Sequence, residues 1–182
     1  MQAWKTLSRQ IVLDRGKFLR VEDHTVELPD GRVIEQWPWI ITPDFINVVA
    51  LTDDDKMLCF RQGKYAIEGE ALAPVGGYLE PGEEPLVAAQ RELLEETGIT
   101  ATKWTKIQEL HLSNSASDEF CILYIAQELN FGESQPEDEE QLEIRKLHFD
   151  ELYKMIESGE ITDSLTVAIV LKAKLMMLEG KL

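Results

Sequence analysis

GYLEPGEEPLVAAQRELLEETGI, residues 77–99, decides how the rest of the chain is read. Gly76, Gly77, Pro81 and Gly82 mark a loop, because glycine and proline punctuate chains. Pro85 suits a first helical turn, where its missing N–H costs nothing. From Pro85 to Thr97 the sequence is rich in Ala, Leu, Glu and Arg, all good helix formers, and Gly98 supplies a C-terminal stop. A 3.6-residue period puts Leu86, Val87, Leu93 and Leu94 on one side of this helix. Glu92, Glu95 and Glu96 share the other, and Arg91 lies four residues before Glu95, within pairing reach. Three clustered carboxylates repel one another. A hard divalent cation relieves that repulsion, and oxygen ligands suit Mg²⁺ or Mn²⁺. The bland alternative is an amphipathic helix with a solvated acidic face. The glycine-bearing loops at both ends and the fixed Arg-Glu spacing argue against it.

Outward from this stretch, 182 residues suffice for a single domain with a real core. The net charge of −16 argues against nucleic acid or an anionic membrane surface as partner. It is compatible with a phosphorylated small molecule if metal ions lie between carboxylates and phosphates. Cys59 and Cys121 sit in apolar runs and read as reduced core residues. With no signal peptide and no apolar run long enough to span a bilayer, the expected location is the cytoplasm.

Towards the N-terminus, Thr6 to Ile41 shows the alternation of an antiparallel β-meander, with Leu28-Pro-Asp-Gly-Arg32 as a hairpin turn. Phe45 to Leu51 is a continuous apolar strand suited to burial on both faces. Strands are expected at 56–61, 70–75, 104–112, 120–129 and 142–147. Helices are expected at 149–158 and 162–178, separated by Gly159 and with Thr162 or Asp163 as a cap. Arg61 and Lys64 precede the glycine loop and are candidates for phosphate oxygens. His24, His111 and His148 share no spacing and read as structural.

Gly77, Glu83, Arg91-Glu92-Leu93, Glu95-Glu96 and Gly98-Ile99 resemble, at every fixed position, the signature box of the Nudix hydrolases. The meander and the run GEITDSLTVAIVLKAKL, residues 159–175, extend the resemblance to the ADP-ribose and nucleoside-diphosphate-sugar pyrophosphatase branch. The resemblance implies an α/β fold: an α/β/α sandwich around a mixed sheet, with the N-terminal antiparallel β-meander added. It implies one domain over 1–182, with 1–44 as a dimerisation element and 45–182 as the catalytic part, and a homodimer in solution. It further implies metal-dependent hydrolysis of the pyrophosphate bond of a nucleoside diphosphate sugar, with Mg²⁺ or Mn²⁺ as cofactor.

By match to the box, Glu92 and Glu96 are the chief metal ligands. Glu95 is a further ligand or the holder of a metal-bound water, and so joins the catalytic set. The Gly76 carbonyl is an additional ligand, while Glu83 and Arg91 orient loop and helix. The branch usually takes its general base from a late acidic loop, here Glu137 to Glu140, with Glu140 the first choice and Glu139 the second. It binds the base with residues of the N-terminal region, which makes Phe18, Trp37 and Trp39 the stacking candidates. Many ADP-ribose hydrolases carry Ser-Pro-Gly-x-x-x-Glu after the box. This chain has Ser113-Asn114-Ser115 and then Glu119, which keeps the serine and glutamate but not the proline and glycine. A broader nucleotide-sugar preference is therefore expected, with Glu119 on the sugar side or at a metal. Two alternatives stay open: a nucleoside triphosphate or dinucleoside polyphosphate hydrolase, and a non-catalytic sensor of the same fold. Retention of Glu92, Glu95 and Glu96 favours the enzyme over the sensor.

Overall fold

The computed structural model describes residues 3–63, 69–132 and 143–182. The chain forms two compact units. One holds the residues up to Asp44 together with His111–Phe120; the other holds Phe45–Leu110 and Cys121–Leu182.

The first unit is the expected meander: β1 (Lys5–Asp14), β2 (Arg20–Glu27) and β3 (Val33–Ile41), in the order β1-β2-β3 and antiparallel throughout. The β2–β3 turn closes with Gly31 N–H donating to Leu28 C=O at 2.9 Å, and Gly31 takes a positive φ of 82°. That conformation is why the Asp-Gly pair marks a hairpin. Ile40 N–H donates to Ala116 C=O at 2.7 Å, which ties the 111–120 segment to β3 within this unit.

The second unit is the α/β/α sandwich. Its strands are β4 (Phe45–Ala50), β5 (Lys56–Gly63), β6 (Glu70–Ala73), β7 (Val75–Tyr78), β8 (Ile99–His111), β9 (Phe120–Phe131) and β10 (Glu143–His148). Its helices are α1 (Pro85–Thr97), α2 (Phe149–Ser158) and α3 (Ser164–Leu178). One sheet runs β7-β4-β9-β8 and is mixed, since β4 pairs parallel with β9 and antiparallel with β7. A second runs β10-β5-β6 and is antiparallel. The strand expected over 70–75 is two strands in different sheets. Pro74, with no N–H to give a ladder, stands at the crossing.

β4 is buried on both faces, as its run, apolar but for Asn47, requires. Val49 and Leu51 join Met57, Cys59, Leu123 and Ile125 in a core closed by Leu152 of α2 and Ile169 and Val170 of α3. Ile46 and Val48 alternate with Val49 and point to the opposite face, where α1 packs on β4 and β7. Cys59 and Cys121 are free and buried, and burial pushes the Cys59 thiol up to about 12. Both are packing groups.

Helix α1 corrects one expectation. Leu93 is fully buried, but its companions in the core are Ala88, Ala89 and Thr97, while Leu86, Val87 and Leu94 are exposed. The buried stripe is turned towards the small residues, and Gly77 of β7 leaves room for the Glu92 carboxylate that a methyl group there would strike. This rotation carries Glu92 and Glu96 to the rim of the packed face rather than to the far side.

Candidate active site

α1 starts at Pro85 and stops at Gly98, which takes a left-handed φ of 68° and donates its N–H to Leu94 C=O at 2.8 Å. Between these ends Arg91 is a hub. Its Nε donates to Glu83 Oε1 at 2.9 Å and its Nη2 to Glu83 Oε2 at 3.0 Å, a two-pronged pair. Nη2 also donates to Tyr78 C=O at 3.2 Å, while Nη1 reaches Glu92 at 2.7 Å and Glu95 at 3.0 Å. Glu83 in turn accepts the Glu80 N–H at 3.0 Å. One guanidinium thus fastens the loop after β7, the strand end and the helix together. The pairing of Arg91 with Glu95 was legible from the i,i+4 spacing; Glu83 and the Tyr78 carbonyl were not, because the loop brings them in.

The carboxylates stand in different settings. The Glu83 carboxyl is held below the usual range, first by Arg91 and then by the Glu80 N–H, both acting against burial. The Glu92 carboxyl is pushed up, first by burial, with Arg91 opposing. The Arg91 guanidinium is raised above its already high value, chiefly by Glu83. Glu95 is the most open of the set, its side chain 53% exposed against 14% for Glu92.

Gly76 and Gly77 lie directly against these groups. The Gly76 N–H donates to Glu96 Oε2 at 3.3 Å. A methyl group on Gly77 would collide with the Glu92 carboxylate, and one on Gly76 with the Asn47 side chain and the Ile46 carbonyl oxygen. Both glycines are there for space rather than for a special φ. A cavity of about 240 Å³ adjoins Gly76 and Glu96, bordered also by Asn47, Gln62, Asp163 and Thr166. Asn47 was missed by the motif search. The signal was present, as the one polar residue inside the apolar run from Phe45 to Leu51.

The remaining candidates are placed as follows. Arg61 is exposed and pairs with Glu70 at 2.5 Å and Glu143 at 3.8 Å, beside a cavity of about 460 Å³. Within the first unit, Trp37 donates its indole N–H to Ser115 C=O at 3.0 Å and meets Trp4 edge-on. Trp39 stacks on His24, with centroids 5.5 Å apart. Phe18 is exposed beneath Lys17 Nζ. Glu119 belongs to the 111–120 segment of that unit, where its N–H donates to the Ser117 hydroxyl at 2.9 Å. Lys64, Glu139 and Glu140 lie outside the described residues.

Among the described residues no three acidic, His or Cys side chains form a ready-made metal cage. Arg91 holds Glu92 and Glu95, and the Gly76 N–H holds Glu96. The donor set nevertheless fits a hard divalent cation: carboxylate oxygens from successive turns of one helix, facing a strand that glycine keeps bare.

A family model described as the NUDIX domain matches residues 43–165. The chain belongs to the Nudix family. A second model, the nucleoside diphosphate sugar hydrolase N-terminal domain, matches residues 4–40. The chain is 33% identical over 164 residues to an ADP-ribose pyrophosphatase of Bacillus subtilis (strain 168), covering 89% of this chain and 88% of that protein. It is 29% identical over 168 residues to a methanol dehydrogenase activator of Bacillus methanolicus, covering 91% and 90%. The crystal structure of an ADP compounds hydrolase superposes with a TM-score of 0.80 at 23% identity, over 100% of this chain and 98% of that one, which shows the shared fold. The protein is therefore a Nudix hydrolase, similar to the ADP-ribose and nucleoside-diphosphate-sugar pyrophosphatases. None of its described helices is long and apolar enough to cross a membrane.

Proposed function

We propose that this Nudix hydrolase cleaves the pyrophosphate bond of nucleoside diphosphate sugars, ADP-ribose among them, giving a nucleoside monophosphate and a sugar phosphate. The observation that carries the reading is the clamp of Arg91 on Glu83, Glu92 and Glu95, which holds an acidic helix against the bare Gly76–Gly77 strand. The match of the N-terminal sheet to a nucleoside diphosphate sugar hydrolase domain favours a sugar, rather than further phosphate, beyond the diphosphate.

Glu92, Glu96 and Glu95, with the Gly76 carbonyl, would hold Mg²⁺ or Mn²⁺, which supplies charge neutralisation and acidifies bound water. Arg91 keeps Glu92 and Glu95 in place, and Glu83 keeps Arg91 in place. In the reaction a water oxygen bonds to phosphorus and the bridging P–O bond breaks. A carboxylate of the late acidic run, Glu140 or else Glu139, takes the water's proton. Phe18, Trp37 and Trp39 are assigned to the base, Arg61 and Lys64 to phosphate oxygens, and Glu119 to the sugar side. The enzyme is further read as a cytoplasmic homodimer, a single Nudix domain whose first 44 residues form the dimer element. The buried free thiols suit a reducing compartment.

The test is a panel of ADP-ribose, ADP-glucose, GDP-mannose, UDP-glucose, NADH and the nucleoside triphosphates, each with Mg²⁺ and with chelator, products resolved by anion exchange. Several nucleotide sugars should be cleaved, and only with metal. Good cleavage of triphosphates with no nucleotide sugar touched would move the chain to the nucleotide-pool hydrolases.

A further inference from the structure

The cavity of about 460 Å³ takes its walls from β5, β6, β10 and the end of α2, and none of the described box residues lines it. The register sets Glu143 and Leu72 beside Arg61, Arg145 beside Cys59 and Leu147 beside Met57, so these side chains share one face of the β10-β5-β6 sheet. Met57 and Cys59 lie in the core. Two residues further along β5, this face leaves the core and turns charged at Arg61. Leu72, Leu147 and Met155 pack against the core and give the cavity an apolar floor. The volume lies within the roughly 300–1,000 Å³ of small-molecule pockets.

The charged side chains on the wall are two arginines and two glutamates: Arg61, Arg145, Glu70 and Glu160. Arg61 pairs with Glu70 at 2.5 Å. Arg145 is anchored through its Nε to Glu143 at 3.0 Å, and its two Nη groups have no partner among the described residues. A guanidinium held at Nε keeps a planar pair of donors for a carboxylate. Glu160 follows the end of α2, where its N–H donates to Met155 C=O at 2.9 Å. Its carboxylate has no partner among the described residues.

Equal numbers of both signs give a phosphate or a metal ion no net attraction. No aromatic side chain lines the cavity, so a nucleobase finds no ring to stack on. What the wall matches is a molecule with a carboxylate for the Arg145 fork, an ammonium for Glu160 and an apolar body for the floor. We infer that this cavity is a binding site for a free amino acid with an apolar side chain. The inference does not rest on the nucleotide-sugar reading. Ala71 and Leu72 also border the cavity beside Gly76 and Glu96, so the two cavities share a wall of β6.

The experiment titrates the ¹⁵N-labelled chain, without nucleotide, with four probes and follows the amide resonances. The probes are leucine, leucinamide (no carboxylate), 4-methylpentanoate (no ammonium) and glycine (no apolar body). Leucine should give shifts that saturate below about 10 mM and cluster at Ala71, Leu72, Leu147 and Met155. Each of the other three should bind at least tenfold more weakly. Arg145→Gln and Glu160→Gln should each weaken leucine binding at least tenfold, with the rest of the spectrum that of the wild type. Shifts that do not saturate, shifts centred elsewhere, an analogue that binds as tightly as leucine, or unchanged affinity in either variant would overturn the assignment. Should a variant misfold, the four probes on the wild type decide alone.

Discussion

Glu92 and Glu96 lie one helical turn apart, and they are held differently: the Arg91 guanidinium donates to the first, and the Gly76 backbone N–H is one donor to the second. Glu96 is therefore the carboxylate that Arg91 does not hold. Glu96→Gln keeps an oxygen for the Gly76 N–H and removes the charge. Turnover with Mg²⁺ should fall at least a hundredfold, the scale for losing a metal ligand or general base, with the melting temperature little changed. Near-normal turnover would remove Glu96 from the metal site. A second residue-scale prediction concerns β2, where Glu22 and His24 are buried and 2.9 Å apart, with Arg20 3.1 Å from the same carboxylate. The Glu22 carboxyl is held below its ordinary value, first by the His24 hydrogen bond and also by Arg20 and Arg9. A depressed acid contributes stability above its unfolded value of about 4.3, and loses it as pH falls through the lower folded value. Denaturant midpoints of wild type should therefore drop more steeply below about pH 4.3 than those of Glu22→Gln. Parallel curves would mean the pairing contributes nothing to folding.

At the scale of elements, the start of α3 is fixed by one side chain. Asp163 Oδ1 accepts both the Thr166 N–H at 2.7 Å and the Thr166 hydroxyl at 2.6 Å, and Thr166 is fully buried. Asp163→Ala removes the cap and strands a buried hydroxyl, together costing about 2 kcal/mol. For a chain of this size that lowers Tm by about 4–8 °C, while Asp163→Asn should keep most of it. A calorimetric scan that shows no difference between Ala and Asn would mean the cap carries no weight. α1 shows what periodicity can and cannot supply. Its ends, at Pro85 and Gly98, follow from residue chemistry, and both were legible. Its rotation was not, since Leu86, Val87 and Leu94 make an equally good stripe on paper. Packing against β4 and β7 made the choice, burying Ala88, Ala89 and Leu93 and setting Glu92 against Gly77.

At the scale of the molecule, β1 is an edge strand of the first unit and is exposed along its whole length. Ile11 and Val12 are both more than half exposed, and Val12 stands at a shift in the β1–β2 register between Ile11 and Leu13. Apolar surface left uncovered along an edge strand is a liability in a free monomer. Sedimentation at micromolar concentration should report about twice the chain mass of 20.8 kDa. Paired charges at Ile11 and Val12 (Ile11→Lys with Val12→Glu) should shift the mass towards one chain. A fully active wild-type monomer would end the homodimer reading.

The sequence by itself determined the family, the box and the order of elements, because these rest on local chemistry: a glycine stop, a proline start, a doubly apolar strand, an Asp-Gly turn. Tertiary structure alone decided the split at Pro74 into two sheets, the rotation of α1, the four-way reach of Arg91 and the burial of Asn47. Each of these depends on which segments meet across space. The energy of a contact between residues twenty or more positions apart, such as Glu96 with Gly76, is set by the partner that the fold delivers.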